Sequence, residues 1–147
     1  MRVWRLARKR FATLDGTGAR LYGGRWNRRG QAVVYTSVNL SLAVLEVIVH
    51  LELALEDFPA DYVKIGIEVP DTLRIERIEP LPRTAAQTVQ VGANWYDYGR
   101  AVGLSVPSVV VPEERNPLLN PSHPDFERIR ALPAKPFLFD PRFIGQF

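Results

Sequence analysis

"AVVYTSVNLSLAVLEVIVHLELALE", residues 32 to 56, holds the signals from which the fold is read. Ala32 to Thr36 is a short β-branched and aromatic run, the composition of a strand. Ser37 and Asn39 follow, and either side chain can accept from the free backbone N–H groups of a helix that begins near Leu40. From Leu40 the apolar run continues to about Glu56, which is helix length. One residue breaks it. Glu46 stands between "LAVL" and "VIV", so its neighbours around the helix are apolar and partial burial of a carboxylate is predicted. Such a charge is costly unless a cation or strong donors meet it. His50 lies one turn on, on the same face. Arg25, upstream, is the more useful partner.

Arg25 belongs to "GGRWNRRG", residues 23 to 30, the densest part of a basic N-terminal segment. Residues 1 to 29 carry nine Lys or Arg against one acid, Asp15, a local charge of +8 in a chain whose total is +3, which leaves −5 for the rest. A field of that kind attracts phosphates, whether of a nucleotide, a nucleic acid or an acidic partner. The alternative is a solvated basic face. Asp15-Gly-Thr-Gly18 reads as a turn. Neither it nor Gly23-Gly24 matches a P-loop, because the Lys-Ser/Thr pair is missing, and no βαβ unit frames a dinucleotide fingerprint. ATP hydrolysis and hydride transfer are disfavoured on those grounds.

Outward from this region, Val3 to Ala7 reads as a first strand. "YVKIGIEV" (62–69) alternates Val63, Ile65, Ile67 and Val69 with Lys64, Gly66 and Glu68, the period of a half-buried strand. "TLRIERI" (72–78) reads as another strand, about Thr84 to Val102 as helix, and "LSVPSVVV" (104–111) as a strand in which Pro107 forces an edge or a bulge. Asp125 to Arg130 reads as a short helix. Six of the twelve Pro residues fall between Pro107 and Pro133, which predicts a stiff, loop-rich last third. The sum is a mixed α+β domain over residues 1–147 with mostly antiparallel sheets. With 46% hydrophobic and 24% charged residues in 147, the chain can bury a core as one domain.

Composition also excludes. Without Cys neither a disulfide framework nor a thiolate metal site can form, and two His make a structural zinc site improbable. The start, Met1-Arg-Val-Trp-Arg5, has no signal-peptide run, and nowhere do about 18 apolar residues follow one another. A cytoplasmic protein, neither secreted nor membrane-spanning, is expected. Two further side chains have ordinary structural readings: Tyr35 as a strand Tyr with a wet hydroxyl, and Ser108, after Pro107, as a backbone-bonded Ser. No G-x-S-x-G elbow surrounds Ser108, so a hydrolase nucleophile is unsupported.

The strings "LDGTGARLYGGRWNRRGQAVVYTSVNLSLAVLEVIVHL" (14–51), "VGANWYDYG" (91–99) and "VPSVVVPEERNPLLNPSHPDF" (106–126) closely resemble the RES domain family, named for its Arg, Glu and Ser. GGRWN, YTS, a Glu inside an apolar helix, PSVVVP and NP-x-HPD occur in order at compatible spacing, from Arg5 to the "FLFDPRF" end. The charged "EER" at 113 to 115 is the least typical element. The resemblance implies the toxin of a bacterial toxin–antitoxin pair with an ADP-ribosyltransferase-like fold, acting on NAD as substrate and using no prosthetic group or metal. It implies a helix-turn-helix antitoxin that covers the active site, within a higher-order complex. Position by position, the family's Arg falls on Arg25, its Tyr on Tyr35, its Glu on Glu46 and its Ser on Ser108. Arg5 matches a further Arg of the same pocket, and Gly24, Trp26 and Asn27 flank Arg25 in the binding loop.

The chemistry suits those residue types. When the nicotinamide–ribose bond breaks, the pyridinium leaves as a neutral ring and positive charge spreads onto the ribose. A fixed carboxylate at Glu46 answers that charge or holds the 2′-hydroxyl. Arg25 and Arg5 would grip the pyrophosphate bidentately, Tyr35 would offer a stacking face, and Ser108 a hydroxyl for ribose or amide. ADP-ribose would then pass to water, inorganic phosphate or a protein side chain. The competing reading is a nucleic-acid-binding or RNA-cleaving module built on the basic segment, with strongly salt-dependent affinity.

Overall fold

The computed structural model describes residues 1–51 and 59–144. Along the chain lie β1 (Arg2–Arg8), α1 (Thr17–Tyr22), β2 (Val34–Tyr35), α2 (Leu40–His50), β3 (Tyr62–Glu68), β4 (Ile75–Arg77) and α3 (Ala85–Tyr98). After them come β5 (Gly103–Pro107), β6 (Arg115–Leu119), β7 (Arg130–Ala131) and β8 (Lys135–Pro136). Short 3₁₀ turns span Lys9–Phe11, Pro124–Arg128 and Pro141–Ile144.

The strands form two four-stranded sheets. In the first, β1 and β3 pair antiparallel along their whole length, Arg2 opposite Glu68 and Arg8 opposite Tyr62, while β7 and β8 pair with the two ends of β3. The second runs β2-β6-β5-β4, and its β4–β5 pair is parallel. Trp4 and Ser37 exchange backbone hydrogen bonds of 2.8 Å each way and so tie the sheets together. The mixed α+β class with mostly antiparallel pairing is therefore as the sequence implies.

Three apolar clusters hold these elements. Val3, Ile65 and Ile67 of the first sheet pack with Val34 and Leu119 of the second. Leu6 and Tyr62 turn to the other face of the first sheet and meet Ala43 and Val44 of α2. Leu104, Val106 and Leu118 pack with Trp95 of α3 and with Trp26. Alternation along β1 puts Arg5 on the face of Val3, toward the second sheet.

Local chemistry sets the helix ends. Asn39 is extended and its side chain accepts from the Leu42 N–H at 2.8 Å, which starts α2. Thr84 and Gln87 form a capping box at α3, and Gly99, at φ 63°, ends it. The helix predicted to reach Val102 thus stops at Tyr98. The helix predicted to Glu56 is described to His50, with Leu51 as its C-cap; residues 52–56 lie outside the described residues.

Other differences have equally local causes. The strand predicted over 104–111 ends at Pro107, which lies beyond the last β4 pairing at Ser105 and is flanked by β6 alone, an edge position as expected, and the chain then turns through a Glu114 N–H bond to Val111 O. Strand 72–78 contracts to Ile75–Arg77. The helix predicted over 125–130 is the 3₁₀ turn Pro124–Arg128, capped by the His123 ring accepting from Asp125 N–H at 3.0 Å, and Arg130 belongs to β7. β3 is covered on both faces, since Gly66 is buried under Trp4 and Leu132. No helix among the described residues is long and apolar enough to cross a membrane.

Candidate active site

A cleft of about 450 Å³ opens where β1, the Gly23–Trp26 loop, β2, α2 and residues 107–109 meet. That volume suits a small-molecule site. Glu46 reaches it from α2, half-buried as the sequence predicts. Its Oε1 accepts from the Ser108 hydroxyl at 2.6 Å and from Asn116 Nδ2 at 2.7 Å. Ser108 is fully buried, and its own oxygen accepts from the Val110 and Val111 N–H groups at 3.1 and 3.0 Å. With both lone pairs taken, the hydroxyl proton has one place to go. Both bonds to Oε1 are charge-assisted, while Oε2 has no partner among the described residues.

This corrects the predicted partners of the carboxylate. His50 Nδ1 lies 2.7 Å from the backbone carbonyl of Glu46, to which it donates, and does not bond the carboxylate. Arg25 lines the same cleft without bonding Glu46. The donors that make the charge tolerable on an apolar helix are a Ser and an Asn.

Three arginines line the cleft; Arg8 is paired with Asp61, and Arg5 and Arg25 have no acidic partner among the described residues. Arg5 stands between the sheets; Nη1 donates to Tyr35 O at 3.2 Å, and buried Nε has no hydrogen-bond partner among the described residues. Burial holds its pKa below the ordinary arginine value, a shift only partly offset by Asp15 and Tyr62. Arg25 is exposed, and its side chain makes no hydrogen bond or ion pair among the described residues. Its backbone is nonetheless held, because Thr88 of α3 donates to Arg25 O at 2.7 Å.

Tyr35 laces this loop from below. Its hydroxyl donates to Asn27 Oδ1 at 2.6 Å and accepts from Trp26 N–H at 3.0 Å. Burial pushes that phenol well above its usual range, so it stays neutral. A side chain at Gly24 would meet the hydroxyl oxygen at 2.5 Å, which is why glycine stands there. The Asn27 amide donates to the carbonyls of Ala19, Arg28 and Gln31 at 3.0, 2.9 and 3.1 Å, closing the loop on itself.

Arg5, Gly24, Arg25, Trp26, Tyr35 and Glu46 therefore line one cleft. Ser108 reaches it through Glu46, and Asn27 through Tyr35. Sequence reasoning passed over Asn116 and Ser37, whose hydroxyl donates to Asn116 Oδ1 at 2.9 Å. Asn116 lies 70 residues from Glu46, on a strand whose Pro117 hides it, so no spacing rule could join the two. The basic segment is dispersed: Arg2 pairs with Glu68, Arg8 with Asp61, and Arg28 donates to Gln90. The atypical Arg115 opens β6 and bonds the carbonyls of Ile78 and Ser105, both at 2.8 Å.

Residues 2–140 match the RES domain family, and the chain belongs to it. A protein of Photorhabdus laumondii subsp. laumondii named Toxin Res is 36% identical over 156 residues, covering 98% of this chain and 97% of that one. The Prs ADP-ribosylating toxin of a Sphingobium species is 38% identical over 144 residues, covering 89% and 86%. Among solved structures, the M. tuberculosis MbcT–MbcA toxin–antitoxin complex superposes with a TM-score of 0.74 at 18% identity, covering 98% of this chain and 86% of that chain. Likeness at that identity speaks for the fold.

Proposed function

We propose that this RES-domain chain is the toxin of a toxin–antitoxin pair and that it acts by consuming NAD. The names of its relatives favour the first part; the cleft favours the second. One observation carries the proposal: a carboxylate anchored by two donors shares a cleft with two cations that have no acidic partner bonded to them among the described residues.

The fit to NAD follows from charge. The substrate brings two phosphate negatives for Arg5 and Arg25, and a ribose that turns cationic as its bond to nicotinamide lengthens. The bond from C1′ to the ring nitrogen breaks, its electron pair stays on nitrogen, and neutral nicotinamide leaves. Glu46 Oε2 faces the positive charge left on the sugar. At about 4 Å and an effective dielectric near 20 that attraction is about 4 kcal/mol, or about a thousandfold in rate. Water, phosphate or a protein side chain then closes C1′ with its own electron pair, and any proton on the attacking atom passes to solvent. A cytoplasmic location and a helix-turn-helix antitoxin seated over the cleft, within a larger complex, complete the proposal.

A nucleic-acid module fits less well, since Arg2 and Arg8 are paired with acids of β3 and its approach and are unavailable as a phosphate track. The test is incubation of the purified, antitoxin-free chain with NAD. Wild type should deplete NAD and release nicotinamide, and Glu46→Ala should not; equal depletion by both would overturn the reading.

A further inference from the structure

Asn116 makes the second bond to the carboxylate, and the reaction as drawn gives it no further part. Its amide nitrogen is 2.7 Å from Glu46 Oε1, and its amide oxygen is held at 2.9 Å by the Ser37 hydroxyl. Ser37 is itself buried and fixed by two backbone bonds of 2.8 Å to Trp4 of β1. The Glu46 carboxylate, which can only accept, settles which way the Asn116 amide points: nitrogen to the carboxylate, oxygen to the Ser37 hydroxyl, which donates. We infer that Asn116, oriented by Ser37, is a positioning residue that aims the Glu46 carboxylate and leaves Oε2 as the oxygen that meets the substrate.

The geometry explains why two donors converge on one oxygen. A Glu side chain on a helix has three rotatable bonds, and Ser108 alone would hold Oε1 while the carboxylate swung about it. Asn116 approaches from β6 and Ser108 from the turn after β5, so the two bonds hold Oε1 from two directions and restrict the swing of the carboxylate. A catalytic carboxylate loses rate when it is misplaced by about 1 Å. The two sheets are thereby joined to the reacting group, through Trp4, Ser37 and Asn116. The inference rests on the NAD-consuming reading for its kinetic consequence but not for the contact itself.

Two substitutions test it. Asn116→Ala removes one charge-assisted bond and should lower kcat about tenfold to a hundredfold with KM nearly unchanged. Asn116→Asp keeps the shape and the Ser37 bond but sets an oxygen against Oε1, and should be worse than Asn116→Ala. In a Glu46→Gln background Asn116→Ala should cost little further, because the charge it aims is gone; a merely structural Asn would cost the same in both backgrounds. Independently of activity, one Asn116 side-chain amide proton should exchange slowly in wild type and quickly in Glu46→Ala. An active wild type with an indifferent Asn116→Asp, or an Asn116 amide blind to Glu46→Ala, overturns the inference. An inactive wild type whose Asn116 amide still responds to Glu46→Ala overturns the NAD reading and leaves the positioning intact.

Discussion

Replacing Arg5 by Met should make the protein more stable and unable to bind its substrate. Arg5 is a cation between two sheets whose Nε finds no acceptor among the described residues and whose one bond to them goes to Tyr35 O at 3.2 Å. Removing a charge from water costs several kcal/mol even after relaxation. Against that stands one hydrogen bond from a charged donor, about 1.5–3 kcal/mol. Met keeps the unbranched length and fills the same space without the charge. The balance favours the variant by about 1–2 kcal/mol, which raises Tm by roughly 3 °C or more for a domain of this size. The same variant should lose the stabilisation that NAD confers on wild type, about 2.7 kcal/mol at a hundredfold excess over Kd. Thermal melts with and without NAD read both effects at once, in a catalytically dead Glu46→Gln background so that NAD persists. A variant less stable than wild type by more than about 1 kcal/mol, whose melting still shifts with NAD, would refute the idea that this cation is held to receive an anion.

Gly92→Ala should be among the most damaging single changes, because the added carbon falls inside the carbonyl oxygen of Trp26. It should cost about 3 kcal/mol or more and be visible as a collapsed melting temperature or lost soluble expression. Tyr35→Phe strips Trp26 N–H and Asn27 Oδ1 of their shared partner. A loss of about 1–3 kcal/mol in chemical denaturation is expected, together with weaker NAD binding as the Arg25 loop loosens, whereas a pure stacking role would leave stability unchanged. Acid should act through Asp61, whose carboxyl is held below its usual value first by its hydrogen bonds to Arg8. A depressed native pKa stabilises above the unfolded value, about pH 4, and the contribution is lost as pH falls through the native one. As pH falls below about 4, the melting temperature of wild type should fall more steeply than that of Asp61→Asn.

The parts of this molecule written in local chemistry were legible before any coordinates. Asn39 as a cap, the alternation of Tyr62 to Val69 and the misfit of Glu46 each follow from a few neighbouring residues. What escaped depends on tertiary context. β6 carries Asn116 and Pro117, residues that argue against a strand, and survives because Pro117 O accepts from Thr36 N–H and the Thr36 hydroxyl across the sheet. α1 is only six residues long and has no periodic face to announce it. At the site, the type of the charged group was readable and its partners were not. Glu46 needed donors, and arginine was the obvious supply; the fold instead brought Ser108 and Asn116, from 62 and 70 residues away. Among the described residues that choice leaves Arg5 and Arg25 without acidic partners, and so available to an anion.

The most direct measurement is the rate at which purified wild type and Glu46→Gln release free nicotinamide from NAD. Glutamine can keep the bonds from Ser108 and Asn116 on its carbonyl oxygen, so the change removes charge and little else. Wild type should release nicotinamide stoichiometrically with NAD loss, and Glu46→Gln should be about a thousandfold slower. Release by Glu46→Gln within about tenfold of wild type, or no release by wild type, would contradict the assignment of this cleft to cleavage at a ribose that becomes positively charged.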